Sequence, residues 1–261
     1  MTQQQATSKG GTSIWRGVGA SLCGTSHVSG GIPCQDAHYW QVNNGDVLVA
    51  AVADGAGSAE LAEVGAEIAS RAVVEAFCAS GKTSGDDKGI QKSLGDALKA
   101  AQKAVQTEAS ARKVEVRQLA TTLILVVATP DMVAAAQIGD GIAVVQDGDA
   151  NIIGVTTPDS GEHVNETTFL NARRDLKHAQ FKVWHGTATH LAIMSDGLQR
   201  LALTMPAGTP HNPFFLPLFK FVSNTPEPAQ AQQQLEQFMA SPRITDNSTD
   251  DLTLVLFGRL S

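Results

Sequence analysis

Aspartates recur at the edges of apolar stretches, and this recurrence is the strongest chemical signal in the sequence. The motifs "CQDA", "VADGAG", "IGDG", "MSDG" and "TDDL" place them at Asp36, Asp54, Asp140, Asp196 and the pair Asp250/Asp251. A single Asp-Gly step is usually a turn. Because all five motifs border an apolar, strand-like run, we interpret their aspartates as parts of one site.

Carboxylates that share a cleft repel one another, so they need a counter-charge to stay ionised. Hard divalent cations supply that charge and prefer ligands that are all oxygen. The sequence has no His-rich or Cys-rich ligand set, which favours Mg²⁺ or Mn²⁺ over zinc. Gly55 follows Asp54 and would expose a backbone carbonyl to such an ion.

Short apolar runs that end on Gly, Asp, Asn or Pro predict the strands that position these aspartates. The predicted strands cover residues 13–22, 47–54, 120–129, 132–139, 142–148, 190–196 and 252–258. Longer Ala-rich patterns predict helices over 58–80, 90–112 and 227–241. Two adjacent helices followed by a run of strands indicate an α+β fold with antiparallel sheets. The "DGD" at 147–149 predicts a hairpin turn.

The bulk composition is that of one ordinary globular domain, with 261 residues, 43% hydrophobic and 17% charged. We expect a flexible tail over 1–12 and a single domain over 13–260. A formal net charge of -7 argues against a nucleic-acid or anionic-lipid surface, and no stretch is apolar enough to predict a membrane span. Three cysteines without CxxC spacing (Cys23, Cys34 and Cys78) argue against a disulfide framework or a zinc ribbon and favour the cytoplasm.

The order of the motifs along the chain is also that of a known protein family. "QDA" (35–37), "VADGAG" (52–57), "ATTL" (120–123), "IGDG" (138–141), "MSDG" (194–197) and "DDLT" (250–253) together resemble the type 2C metal-dependent Ser/Thr protein phosphatases. The opening "GTSHVSGGIPCQDA" is similar to a compact bacterial branch of that family. The resemblance implies a four-layer α-β-β-α sandwich, in which helices flank two antiparallel sheets.

The resemblance also implies a set of metal ligands. Asp54 would bridge two ions, with the Gly55 carbonyl on one of them, and Asp196 and Asp250 would complete the shell of the other. Asp251 stands where the family usually has Asn, so the ligand is Asp250 or, one residue later, Asp251; we favour Asp250.

Other roles follow from the same resemblance. Asp36 would hold metal-bound water, and Asp140 would bind a third, weaker metal together with Asp196. Most relatives carry an Arg that grips the substrate phosphate, and here that position is Gly31. His27 is the nearest replacement, either as a phosphate binder or as the general acid for the leaving alkoxide.

The implied activity is hydrolysis of phosphoserine and phosphothreonine by a water held between two Mn²⁺ or Mg²⁺ ions. The implied partner is a phosphorylated protein, such as a Ser/Thr kinase or its target, and we expect a monomer. Because the phosphate-binding Arg is replaced, an alternative is a weak or inactive phosphatase-like domain that binds phosphoproteins as a scaffold. A second alternative is an unrelated two-metal hydrolase such as a nuclease.

Two segments carry further expectations. The polar segment 156–186 reads as irregular and corresponds to a flap that varies in the family. Its basic residues Arg173, Arg174 and Lys177 would attract a phosphopeptide. In 206–219, three phenylalanines form either an exposed patch for a partner or a satellite core cluster.

Overall fold

The computed structural model describes residues 14–43, 46–83, 85–158, 168–170, 176 and 178–260. Within this part of the chain the strands are β1 (Trp15–Leu22), β2 (Asp36–Asn43), β3 (Val47–Asp54), β4 (Leu123–Ala128), β5 (Met132–Ile138), β6 (Ile142–Asp147), β7 (Ile152–Gly154), β8 (Gln180–His185), β9 (Ala188–Met194), β10 (Leu203–Thr204), β11 (Thr209–Pro210) and β12 (Leu252–Arg259). The helices are α1 (Thr25–Gly30), α2 (Ala62–Ser80), α3 (Asp87–Arg112), α4 (Gln199–Ala202), α5 (Asn212–Asn224), α6 (Pro228–Met239) and α7 (Pro242–Thr245).

Two five-stranded antiparallel sheets form the centre of the fold. The first sheet has the order β2-β3-β4-β5-β8 and the second has the order β1-β12-β9-β6-β7. Helices α2 and α3 cover the outer face of the first sheet, and α5 and α6 cover the second. The predicted four-layer sandwich is therefore confirmed.

Burial on both faces explains why the central strands read as unbroken apolar runs. Along β3, Leu48, Ala50 and Val52 point between the two sheets. The alternate residues Val49 and Ala51 pack under the helices. Side chains alternate between the faces of a strand, so a strand covered on both sides has few polar positions.

The elements that were not predicted include helix α5 and two strands that lie at sheet edges. β2 was not predicted, because "DAHYWQVN" mixes polar and apolar residues. β8 lies inside the segment expected to be irregular, where it pairs with β5 through residues such as Val183, opposite Ala134. β8 is a half-exposed edge strand, and such strands carry a weak apolar pattern.

The alternatives for the phenylalanine-rich segment are also resolved. Phe214, Phe215 and Phe219 lie on α5 and are buried in the cluster between this helix and the second sheet. The predicted burial is confirmed and the exposed patch is wrong, but these residues belong to a main core cluster of the fold and not to a satellite one. The hairpin at 147–149 is confirmed, because β6 pairs with β7 across it. In the described part of the chain, no helix combines the length and apolarity required to cross a bilayer.

Candidate functional site

Strand register brings the predicted aspartates to one end of the sandwich. In the first sheet, Asp36 at the start of β2 lies directly opposite Asp54 at the end of β3. In the second sheet, β9 ends two residues before Asp196, and β12 begins immediately after Asp251. Because β9 and β12 are antiparallel neighbours, the end of one strand lies beside the start of the other.

Asp140 reaches the same end through the connection between the sheets. It lies in the turn from β5 to β6, and the first residue of β6, Ile142, pairs with Met194 just before Asp196. The Gln199 side chain donates a hydrogen bond from Nε2 to the Asp140 carbonyl oxygen at 2.7 Å. This bond ties the turn to the segment that follows β9.

Electrostatic coupling shows that these carboxylates face one another. Burial, followed by the charges of Asp36 and Asp196, raises the pKa of Asp54 well above its usual value, and Asp250 adds to the effect. Burial and the charge of Asp140 raise the pKa of Asp196 to about 6. Asp54 and Asp196 therefore lie close enough to neighbouring carboxylates for those charges to raise their pKa values, as expected of a shared cleft.

Asp36 is buried more deeply than Asp54 and Asp196. The Ser195 hydroxyl donates to Asp36 Oδ2 at 2.6 Å, and the Thr253 N–H donates to the Ser195 oxygen at 3.0 Å. Burial raises the pKa of Asp36 to about 8, although the bonds from Ser195 and Thr253 act in the opposite direction. Ser195 was not predicted to matter, but it joins the first sheet to the second at the site.

The "ATTL" motif holds the backbone at Asp54. The Asp54 carbonyl accepts hydrogen bonds from the Thr122 N–H at 2.7 Å and the Thr121 hydroxyl at 3.0 Å. The Asp54 N–H donates to the Thr122 side-chain oxygen at 3.0 Å. A Cβ at Gly55 would lie 2.7 Å from the Ala62 carbonyl oxygen. Close packing therefore requires glycine at this position.

These residues fit a divalent cation. Asp36 Oδ1 and Asp196 Oδ1 are buried atoms without a hydrogen-bond partner in the described part of the chain. Such orphaned oxygens are costly to bury, and the side chains of the converging aspartates offer only oxygen donors. A hard cation would satisfy them and reverse the mutual repulsion that raises the carboxyl pKa values.

The two neighbouring aspartates before β12 have different surroundings. Asp251 is buried, and its two oxygens accept hydrogen bonds from the N–H groups of Gly24, at 2.6 Å, and Gln35, at 2.5 Å. Asp250 is exposed and lines the same hollow as Asp196. This geometry favours Asp250 over Asp251 as a metal ligand. Asp251 instead anchors the backbone of Gly24 and Gln35, on either side of α1.

His27 and Gly31 lie on either side of the end of the short helix α1. The His27 Nδ1 atom is 3.0 Å from Asp251 Oδ1. Gly31 ends α1 with a φ of 66°, and its N–H reaches the carbonyls of His27 and Val28. A left-handed backbone favours glycine, so an Arg at this position would be strained.

A hollow of about 400 Å³ opens beside the aspartates, and we call it the acidic hollow. Its lining includes Asp196, Gln199, Arg200, Asp246, Ser248 and Asp250. Arg200 is exposed and was missed by the sequence reasoning. The available signal was a basic residue four positions after Asp196 in "MSDGLQR". The predicted basic residues Arg173, Arg174 and Lys177 lie outside the described residues.

Comparisons with known proteins agree with this geometry. The family profile described as protein phosphatase 2C matches residues 23–240. The chain is 36% identical over 255 residues to serine/threonine-protein phosphatase 3 of Escherichia coli K12, covering 93% of this chain and 97% of the relative.

Solved structures show the same fold at low sequence identity. The serine/threonine phosphatase Stp1 from Staphylococcus aureus superimposes with a TM-score of 0.65 at 15% identity, covering 96% of this chain and 97% of Stp1. The catalytic domain of the phosphatase PstP, solved in complex with two manganese ions, gives a TM-score of 0.59 at 17% identity, with 95% and 99% covered.

Proposed function

The chain belongs to the protein phosphatase 2C family, and from this premise we propose how its own residues divide the work of the reaction. It is a metal-dependent serine/threonine protein phosphatase. The observation that carries the proposal is the convergence of acidic side chains from both sheets on one end of the sandwich.

We propose that Asp54, the Gly55 carbonyl, Asp196 and Asp250 would hold two divalent cations. Asp140, whose charge acts on Asp196, would join it at a third, weaker site. Mn²⁺ and Mg²⁺ suit these oxygen donors. When bound, such cations would supply the positive charge that activates a water nucleophile and neutralises the phosphoryl oxygens.

Asp36 acts on solvent in this proposal. Ser195 occupies Asp36 Oδ2, which leaves the buried Oδ1 without a partner among the described residues. Oδ1 would accept a hydrogen bond from the attacking water and fix its orientation. Because Ser195 is itself held by Thr253 on β12, the orientation of Asp36 depends on contact between the two sheets.

His27 is proposed as the general acid. The Asp251 carboxylate, 3.0 Å from Nδ1, would form an ion pair with the protonated imidazole and hold the ring beside the site. The Nε2 proton would then pass to the serine or threonine oxygen as the bond to phosphorus breaks.

We propose that Arg200 binds the substrate phosphate. Most relatives use for this an Arg at the position that is Gly31 here. Arg200 lines the acidic hollow with Asp196 and Asp250. The planar guanidinium can bind two phosphate oxygens at once. We further propose that the protein works as a monomer in the cytoplasm, on a Ser/Thr kinase or its phosphorylated target.

Two substrates test the reaction and the acid separately. Wild-type protein with Mn²⁺ should release phosphate from a phosphothreonine peptide and from p-nitrophenyl phosphate. Asp54→Asn should abolish both activities, whereas Asp96→Asn, on an exposed face of α3, serves as the matched control. Turnover that survives in Asp54→Asn would refute the ligand assignment, and wild-type protein that binds the peptide without cleaving it would favour the scaffold alternative.

The role of His27 predicts a difference between these substrates. p-Nitrophenolate is a good leaving group and needs little protonation, while a threonine alkoxide needs an acid. His27→Ala should lower kcat on the peptide by about 10²–10⁴-fold and change kcat on p-nitrophenyl phosphate far less. Equal losses on both substrates would remove His27 as the acid.

A further inference from the structure

A second group of possible metal ligands lies beside the carboxylate centre and differs from it in chemistry. Cys23 follows the end of β1, His27 lies on α1, and Asp251 precedes β12. One ligand atom from each residue lies within 4.8 Å of the other two. These atoms are a sulfur, an imidazole nitrogen and a carboxylate oxygen, whereas the carboxylate centre offers oxygens.

The surroundings of His27 leave its nitrogen available. Nδ1 is buried and 3.0 Å from Asp251 Oδ1, but the two atoms are not aligned as a hydrogen bond, and Nδ1 has no hydrogen-bond partner in the described part of the chain. A buried nitrogen without a partner calls for an explanation. A cation between His27, Cys23 and Asp251 would provide one.

The carboxylate is already held in place. The Gly24 N–H donates to Asp251 Oδ1, and the Gln35 N–H donates to Oδ2. Outer hydrogen bonds of this kind orient the ligands of metal sites and strengthen binding. The Cys23 thiol donates to the Ile32 carbonyl oxygen at 3.4 Å, a weak bond that would break when the sulfur binds a metal.

We propose that Cys23, His27 and Asp251 form a separate site for Zn²⁺. One thiolate, one imidazole and one carboxylate match the ligand types of zinc, and three protein ligands leave a fourth position for water. The binding step is balanced when the Cys23 S–H bond breaks, its proton goes to solvent, and the neutral imidazole and the carboxylate donate electron pairs to the cation. The three ligands of this site include none of the residues assigned to the catalytic cations.

Zinc at this site would also affect His27. A cation on Nδ1 excludes the protonated ring, so it would remove the proton donor proposed for the phosphatase reaction. This consequence rests on the proposed function, but the existence of the site does not.

Cobalt(II) is the probe, because Co²⁺ commonly replaces Zn²⁺ and gives a thiolate-to-metal absorption band in the near ultraviolet. The full-length, chelator-treated protein should bind one equivalent with this band. The band should persist in Asp54→Asn, in Cys34→Ser and in Cys78→Ser, and it should be absent in Cys23→Ser. His27→Ala should weaken Co²⁺ binding by at least about tenfold. Adding Zn²⁺ to the wild-type complex should bleach the band, while Mn²⁺ should not.

The proposal would be overturned if the wild type showed no band, if the band survived in Cys23→Ser, or if it were lost in Cys34→Ser. Circular dichroism on each variant shows whether it is folded, and the zinc competition in wild-type protein does not depend on any variant. A retained band in an inactive Asp54→Asn protein would support this site whatever the fate of the catalytic assignment. Loss of the band in a folded Asp54→Asn protein would assign the cobalt to the carboxylate centre and refute a separate site.

Discussion

Replacing Asp196 with Asn should stabilise the metal-free protein while it destroys metal binding. The pKa of Asp196 rises from 3.8 to about 6 on folding, through burial and the charge of Asp140. Above its folded pKa the ionised side chain destabilises the native state, and this difference corresponds to roughly 3 kcal/mol. Because Asp196 is partly exposed, solvent screening lowers the expected gain to about 1–3 kcal/mol.

The direction of the Asp196 pKa shift determines how the stability difference between wild type and Asp196→Asn depends on pH. A raised folded pKa means that the destabilisation is absent below the unfolded value of 3.8 and complete above about 6. The advantage of Asp196→Asn should therefore be full at about pH 8 and roughly half as large at about pH 5. Urea unfolding of chelator-treated wild type and variant at both pH values measures it.

Added Mn²⁺ should reverse the order of stability, because a cation that binds only the native state stabilises the wild type by mass action. The exposed pair-forming residue Asp96 provides the control, since Asp96→Asn leaves the cleft untouched. A metal-free Asp196→Asn protein less stable than wild type at about pH 8 would refute the account of repelling carboxylates.

Three further predictions concern single residues of the site. Asp250→Asn should weaken Mn²⁺ binding, measured by calorimetry, with little change in thermal stability. Asp251→Asn should lower the free energy of unfolding by about 1–3 kcal/mol, because one buried N–H would lose its acceptor. The opposite pattern would exchange the roles of the two residues. Arg200→Ala should raise KM for a phosphopeptide with a smaller effect on kcat, and Arg200→Lys should restore part of the affinity for the phosphopeptide. An unchanged KM in Arg200→Ala would show that Arg200 does not bind the phosphate. Mn²⁺ affinity should rise as the pH increases through about 6, because the raised pKa values of the proposed ligands Asp54 and Asp196 let protons compete with the cation at lower pH. A flat pH profile would contradict this prediction.

Sequence reasoning predicted the strands whose two faces are both buried, because such strands are unbroken apolar runs. β3, β4 and β12 read as strands because both neighbouring layers demand apolar side chains. β2 and β8 were missed because each lies at a sheet edge, where polar residues are tolerated. The fold class, the family and the phosphatase activity are confirmed, whereas the domain boundaries stay predictions.

The candidate metal ligands could be proposed from the sequence because five aspartate motifs each border an apolar, strand-like run. The structure brings Asp36, Asp54, Asp140, Asp196 and Asp250 to one end of the sandwich, and their individual roles stay predictions.

Contacts between distant segments were not visible in the same way. Ser195 reaches Asp36 across 159 residues of sequence, and Asp251 meets backbone groups more than 200 residues away. The spacing of motifs along the sequence does not indicate which distant residues form such hydrogen bonds. For the same reason, the absence of CxxC spacing concealed the grouping of Cys23, His27 and Asp251.

Anomalous diffraction from crystals of the full-length protein grown with Mn²⁺ is the most direct test of the central claim. Two peaks should lie about 4 Å apart, one within bonding distance of Asp196 and Asp250 and both in contact with Asp54. Crystals saturated with Mn²⁺ that show no peak at these carboxylates would contradict the account.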